Sequence, residues 1–459
     1  MTPDAKLQIF AIKRGMIKTR MDVNYYLPEY QNGIEKLKKA HSGKLRKISD
    51  FADVVCGPFG SAIKNGDYQS AGIPLLRITN ISADGNLDYK NIKFISKKLS
   101  DKLEKTQVTK GDIVVSQRGS LGLFAIIDDL YPIFNISANL IAIKNIKDYD
   151  PEFIKNYLNS AICKKFLEQA QSGQIQSKIT TADISNILVP EKVDEKKLNR
   201  IIADGFSIYQ QKLQQAEELL SGMDEFVLKT LGIAESSIAN KLCFAIKRKN
   251  LDGVIDVKRH FRVKQSHSLK VSDIVTISEQ KINPQKAPEV VFDWIRIDDL
   301  PNQPINITEV RTECGKNIEG TFFEVLPGDI LVARLGPTIL NRKTVMVRSV
   351  KRRTIASSEF LVLRSKDGFT AESIMAVIKT KFFVEQMYAH ARGSTPSRYR
   401  LNREDMLNLP FPDISNSEIQ ALISSEAINR MQQVVKLRQE AEKEWQDARE
   451  QFEKELLGE

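Results

Sequence analysis

The chain has 459 residues, 42% hydrophobic and 27% charged, close to globular averages, which excludes a mostly disordered, collagen-like or membrane-embedded protein. At roughly 150 residues each, that length holds about three domains. The 68 Lys and Arg outnumber the 58 Asp and Glu, leaving a formal charge of +10 that favours a polyanionic partner wherever it gathers on one surface.

In chain order, residues 1–41 form an N-terminal lead-in containing Phe10-Ala11-Ile12-Lys13-Arg14 and Asp22-Val23. Residues 42–190 read as a first α+β domain. Its strands are short β-branched runs bounded by Gly, Asn or Asp, such as Ile113 to Val115 and Leu140 to Ile143. A helical stretch, Pro151 to Gln171, follows, then a polar loop, Ser172 to Thr180, and a short apolar segment ending at Pro190. Residues 191–232 form a long central helix.

The same text then returns. Phe244-Ala245-Ile246-Lys247-Arg248 and Asp256-Val257 restate the lead-in within a connector, 233–266. In a second domain, 267–412, Ile295-Arg296-Ile297 restates Leu76-Arg77-Ile78, and Gly328-Asp329-Ile330-Leu331-Val332 restates Gly111-Asp112-Ile113-Val114-Val115. Ser357 to Arg364 parallels Ser137 to Lys144, with strands expected at Ile330 to Val332 and Phe360 to Leu363. The helical stretch recurs as Ala371 to Ala391, the polar loop as Arg392 to Arg400, and the long helix as 413–459. Order is kept while spacing drifts, as in a duplicated domain with loop insertions; a solenoid would repeat every 20–50 residues.

The central helix carries a heptad stripe, Ile202, Phe206, Tyr209, Leu213, Ala216, Leu220, Met223 and Val227, alternating four- and three-residue steps. At 1.5 Å per residue this seam is about 38 Å long. The final helix is less regular: Ala427, Met431, Val434, Ala441, Trp445, Ala448 and Phe452 are interrupted by Arg438. Pairing the two helices antiparallel would bury both seams.

Catalytic signatures are missing. The four cysteines, Cys56, Cys163, Cys243 and Cys314, form no Cys-x-x-Cys pair, and the histidines are only His41, His260, His267 and His390. That excludes zinc sites of the usual spacing and argues against a disulfide framework. There is no phosphate-binding Gly-x-x-x-x-Gly-Lys-Ser/Thr loop, and no two prolines are adjacent, so the Asn-Pro-Pro-Tyr motif of amino-methyltransferases is absent. Gly119-Ser120-Leu121-Gly122 fails the dinucleotide spacing and reads as a tight turn. No metal ligand set is expected, although Asp298-Asp299 and Glu279-x-Lys281 could be assembled into one on paper. The opening Met-Thr-Pro-Asp-Ala-Lys shows no basic n-region followed by an apolar h-region, so no leader peptide is expected, and no apolar run nears the ~18–20 residues that span a bilayer. A cytoplasmic chain without a membrane partner is expected.

Binding chemistry is better supported. Loops at matching places in the two halves combine Gly or Pro with the residue types that reach phosphates and base edges. The candidates for DNA contact are Lys64, Arg77, Gln117, Arg118, Gln174, Gln176 and Lys178 in the first half. Arg296, Arg334, Arg392, Ser394, Arg398 and Arg400 are those in the second. The frame agrees between halves while the polar tips differ, as expected of two similar platforms reading different base sequences.

The Leu-Arg-Ile strand, the Gly-Asp-Ile-Val-Val turn and strand, and Leu409-Pro410-Phe411-Pro412 leading into Ser417-Glu418-Ile419-Gln420 resemble the specificity subunits of type I restriction-modification systems. The resemblance covers essentially the whole chain, departing from the family at Val189-Pro190-Glu191-Lys192, where a Pro-x-Pro is usual, and in the long lead-in. It implies two mixed α/β target-recognition domains joined by long helices in an antiparallel coiled coil. It further implies a non-catalytic subunit that binds a bipartite site in double-stranded DNA. The implied partners are two DNA methyltransferase subunits and, for cleavage, restriction/translocase subunits. This chain would hold no cofactor; S-adenosylmethionine, ATP and Mg would belong to the partners. Two other classes stand beside this reading: a nuclease with an unrecognised metal site, and a coiled-coil scaffold that does not read DNA. A pocket of clustered Asp, Glu and Lys would favour the first, and a recognition face without basic residues the second.

Overall fold

The computed structural model describes residues 27–82, 85–117, 122–171, 178–233, 268–304, 307 and 310–459. Both Phe-Ala-Ile-Lys-Arg copies and the Gly119 to Leu121 turn lie outside them. The chain divides into two units, Met1–Tyr209 with Glu442–Glu459, and Gln210–Ala441.

The first unit contains α1 (Pro28–Ala40), β1 (Leu45–Lys47), β2 (Asp53–Cys56), β3 (Ile73–Leu76), β4 (Lys93–Ile95), α2 (Lys97–Lys102), β5 (Gln107–Val108) and β6 (Ile113–Ser116). It continues with β7 (Phe124–Ile126), β8 (Phe134–Ile136), β9 (Leu140–Lys144), α3 (Pro151–Leu158), α4 (Ala161–Gln171), α5 (Thr181–Ser185) and β10 (Leu188–Pro190), and enters the long helix α6 (Glu195–Thr230). Its sheets have the orders β2-β9-β6-β7, β4-β3-β8-β5 and β1-β10.

The second unit contains β11 (Ser268–Lys270), α7 (Val271–Ile274), β12 (Val275–Ile277), β13 (Lys281–Ile282), β14 (Val291–Ile295), β15 (Arg311–Cys314), β16 (Phe322–Val325) and β17 (Ile330–Ala333). Next come α8 (Gly336–Leu340), β18 (Thr344–Met346), β19 (Thr354–Ala356), β20 (Phe360–Ser365), α9 (Ala371–Lys379), α10 (Lys381–His390), α11 (Arg403–Leu407), β21 (Pro410–Pro412) and the long helix α12 (Ser417–Leu457). The orders are β12-β20-β17-β18, β15-β14-β19-β16-β13 and β11-β21. Strand for strand this is the first unit again, with β13 added at one edge. Even the parallel pair recurs, β3 with β8 and β14 with β19, inside otherwise antiparallel sheets.

The central strands β6 and β17 are buried at every position because both faces of their sheet are covered. Ile113, Val115, Ile141 and Ile143 pack with the helices, while Val114, Leu140 and Ala142 pack with Leu76, Phe134 and Ile136 of the second sheet. The other unit splits Ile330 and Val332 from Leu331 and Ala333 in the same way. Entry to each central strand is fixed by a glycine in the left-handed region, Gly111 (φ +88) or Gly328 (φ +91), where L side chains are strained. The following aspartate accepts a backbone N–H three residues back, Asp112 from Thr109 and Asp329 from Leu326, both at 2.8 Å.

The helical stretches expected over 151–171 and 371–391 are each a pair of helices. A hydroxyl restarts the second helix by accepting its otherwise unpaired N–H: Ser160 Oγ from Cys163 and Thr380 Oγ1 from Phe383, both at 3.3 Å. The loop that carries Arg334 becomes helical at Gly336, with Pro337 in the first turn of α8, where its missing N–H costs nothing.

Both long helices contribute residues to both units. In the first, Lys197 meets Glu455 at 2.5 Å and the Phe206 and Trp445 rings lie 5.3 Å apart, so the segments run antiparallel. In the second, Lys212 meets Glu440 at 2.7 Å and Arg430 Nη1 donates to the Leu219 carbonyl at 3.3 Å, again antiparallel. Of the heptad stripe, Ile202, Ala216, Leu220, Met223 and Val227 are buried and Phe206, Tyr209 and Leu213 half-buried. Helix α6 stops where Gly232 turns at φ +65. No helix among the described residues is long and apolar enough to cross a membrane.

Candidate nucleic-acid interface

In the first unit, loops leaving β2, β3 and β8 line a cavity of about 340 Å³, among them Pro58, Phe59, Tyr68, Arg77, Ser137 and Asn139. Gly57 lets two of them meet: a Cβ there would sit 2.0 Å from the Ser137 carbonyl oxygen. The approach is so close because the Gly57 N–H donates to the Leu140 carbonyl at 2.8 Å, prolonging the β2–β9 pairing. Beyond this anchor Phe59 is 90% exposed.

The cations of this half differ in how far they are already engaged. Lys64 and Lys178 are exposed, and their ammonium groups make no hydrogen bond or ion pair among the described residues. Arg77 Nη2 donates to the Asn91 carbonyl at 2.7 Å, while its Nε is buried without a partner. Gln117 is turned inward, only 3% exposed, its amide donating to Cys56 Sγ at 2.7 Å and the Leu140 carbonyl at 3.4 Å. Arg118, Gln174 and Gln176 lie outside the described residues.

In the second unit Arg296 lies over the Trp294 ring at 5.3 Å and meets Asp298 at 3.3 Å. Arg392 pairs with Asp405 at 3.1 Å and Arg400 with Glu359 at 2.5 Å. The Arg392 and Arg400 backbones exchange hydrogen bonds of 3.0 and 2.8 Å, which makes the polar loop between them a closed hairpin. On it, Ser394 and Arg398 are exposed, with no side-chain partner among the described residues. Arg334 is half-buried at the end of β17. Burial lowers its pKa from the usual value and the Arg400 charge adds to that, while Glu359 opposes it.

The backbone brings equivalent positions to equivalent places. Gln117 N–H donates to the Asn139 carbonyl (2.9 Å) and its own carbonyl accepts from Ile179 (3.0 Å). Arg334 does the same with Glu359 (3.1 Å) and Leu401 (2.8 Å). Gln117 thus corresponds to Arg334, Asn139 to Glu359, and Lys178 to Arg400. Sequence reasoning did not single out Glu359 or Phe59. For Glu359 the signal was present, a carboxylate at the position that Asn139 holds in the other copy, inside the matched Ser357 to Arg364 frame.

The carboxylates that could have built a metal site are held by cations. Asp298 meets Arg296, Asp299 meets Arg311, and Glu279 meets Arg403. Among the described residues no group of three or more His, Cys, Asp or Glu could hold a metal ion.

Each unit therefore carries its own set of polar loops beside its central sheet. Residues 44–220 match the family model described as the type I restriction modification DNA specificity domain. The chain is similar to the type I restriction enzyme EcoBI specificity subunit of Escherichia coli, 27% identical over 129 residues. The match covers 28% of this chain and spans 27% of that relative's length. Among solved structures, one from a study of complex assembly and conformational transition in a type I restriction-modification system aligns with a TM-score of 0.41 at 13% identity, over 90% of this chain and 96% of that one. The S subunit of a type I restriction-modification system from M. genitalium aligns at 0.40 and 15% identity, over 90% and 95%.

Proposed function

We propose that this chain is the non-catalytic, sequence-reading subunit of a type I-like restriction-modification or methyltransferase complex, with residues 42–190 and 267–412 each reading one half of a bipartite duplex site. The observation that carries this reading is the duplication itself. A fold whose first copy matches a DNA specificity domain is repeated strand for strand, with different side chains at the matched loop positions. Exposed cations such as Lys64, Lys178 and Arg398 supply charge for phosphates, a term that sets affinity but not sequence. Loop-tip side chains at base edges then supply the specificity. Two methyltransferase subunits, and restriction/translocase subunits for cleavage, are the partners of such a subunit. S-adenosylmethionine, ATP and Mg belong to them in this reading.

Selection of the full-length chain against a library of randomised duplexes tests it. The expected motif has two short specified blocks separated by an unspecified gap. The same preparation, given DNA, Mg²⁺ and S-adenosylmethionine, is expected to leave the DNA unmethylated and uncut. A single continuous motif, no motif, or product formed by the purified chain would each refute the assignment.

A further inference from the structure

The two halves treat one equivalent position in opposite ways. Gln117 spends its amide inside its own unit, on Cys56 Sγ and the Leu140 carbonyl. Arg334, held by the same two backbone hydrogen bonds, makes no side-chain hydrogen bond among the described residues, and its Nε is buried without a partner. Beside it, Glu359 binds Arg400 through Oε1 and leaves Oε2 buried and unpartnered. Buried polar atoms without partners are costly, and a fold with nothing to gain there would place a shorter or apolar side chain. The Arg334 Nη atoms, which make no hydrogen bond among the described residues, and the partly exposed Glu359 carboxylate mark a place where a ligand completes the bonding.

Resting on the DNA-reading role above, we infer that Arg334 and Glu359 together read one G·C base pair in the half-site of the second domain, with Arg400 positioning the carboxylate. Charge decides between a base and a phosphate. A carboxylate beside the guanidinium repels a phosphate oxygen, whereas it tolerates and can bond a neutral base edge. A G·C pair presents, across the major groove, the guanine acceptors N7 and O6 and the cytosine N4 donor. A guanidinium fork supplies two donors for the first pair, and a carboxylate oxygen accepts from the third. Rigidity points the same way. Arg334 is held at both its N–H and its C=O, while the exposed cations suited to phosphates, Lys178 and Arg398, stand elsewhere in the chain.

The test uses the full-length chain and the duplex selected by the wild type. Arg334→Ala is expected to lose the preference at a single G·C pair, roughly 5- to 150-fold, with the other positions unchanged. Arg334→Lys should lose most of it as well, because an ammonium lacks the fork. Glu359→Gln should weaken rejection of other pairs there. Replacing that guanine by 7-deazaguanine, which removes N7, needs no variant: it should weaken wild-type binding and leave Arg334→Ala indifferent. A uniform loss for all sequences with a salt slope lower by ~1 would make Arg334 a phosphate contact and overturn the inference. An unchanged motif in all three variants would also overturn it while leaving the DNA-reading role intact. A wild-type chain that selects no motif would remove both.

Discussion

Lys379 shows how much a single side chain can be made to cost in this protein. It ends α9 buried, donating to the Pro304 and Thr344 carbonyls, and burial, reinforced by the Arg342 and Arg438 charges, pushes its pKa down to about 7. Asp224 only partly opposes this. Because the folded pKa lies below the usual 10.5, the unfolded chain holds the extra proton between pH 7 and about 10.5. Stability therefore rises with pH through that window, by at most about 1.4 kcal/mol per unit, and the penalty is fully present below pH 7. Urea unfolding at pH 7 and 9.5 is expected to show the increase in wild type and a flattened slope in Lys379→Met. Equal slopes would place the titration in another group.

At the scale of elements, the two long helices are fitted to each other by small residues as much as by the apolar stripe. A Cβ on Gly205 would come within 2.2 Å of the Ala448 Cβ, so this crossing is closed to any larger side chain. Gly205→Ala gains ~1 kcal/mol of helix propensity but meets an overlap that costs about 1–3 kcal/mol. The expected balance is a loss of stability near 1 kcal/mol, read as a lower melting temperature. Ala448→Gly in the same chain removes the opposing methyl, so the double variant should recover part of the loss. Independent, additive effects would show that the helices do not meet at this point. The seam around it was legible in the sequence, because heptad spacing is a local pattern. Gly205 was not, since nothing in its neighbours says that another helix passes over it.

Over the whole molecule, the proposed DNA-reading role has modularity as its consequence. Each domain builds its own double-faced sheet and carries its own loops, so exchanging residues 42–190 for the same region of a related chain is expected to change one half of the selected DNA motif and spare the other. A change in both halves would mean that the two loop sets are read jointly.

The sequence by itself determined the duplication, the strand–helix order of each copy, the long closing helices and the family resemblance. All of these rest on periodicity, turn residues and self-similarity, which are properties of neighbours along the chain. It also placed Gln117 and Arg334 in matching loops. What it could not show is that one side chain folds inward onto Cys56 while the other stays unspent beside Glu359. Likewise the helical stretches expected over 151–171 and 371–391 are divided at Ser160 and Thr380, whose hydroxyls cap only once the chain has turned there. Such choices depend on which groups from distant segments arrive within hydrogen-bonding distance, at separations of 61 residues for Gln117 and Cys56 and 41 for Arg400 and Glu359. Local pattern fixes which elements form; tertiary structure alone decides which polar groups are left over for a ligand.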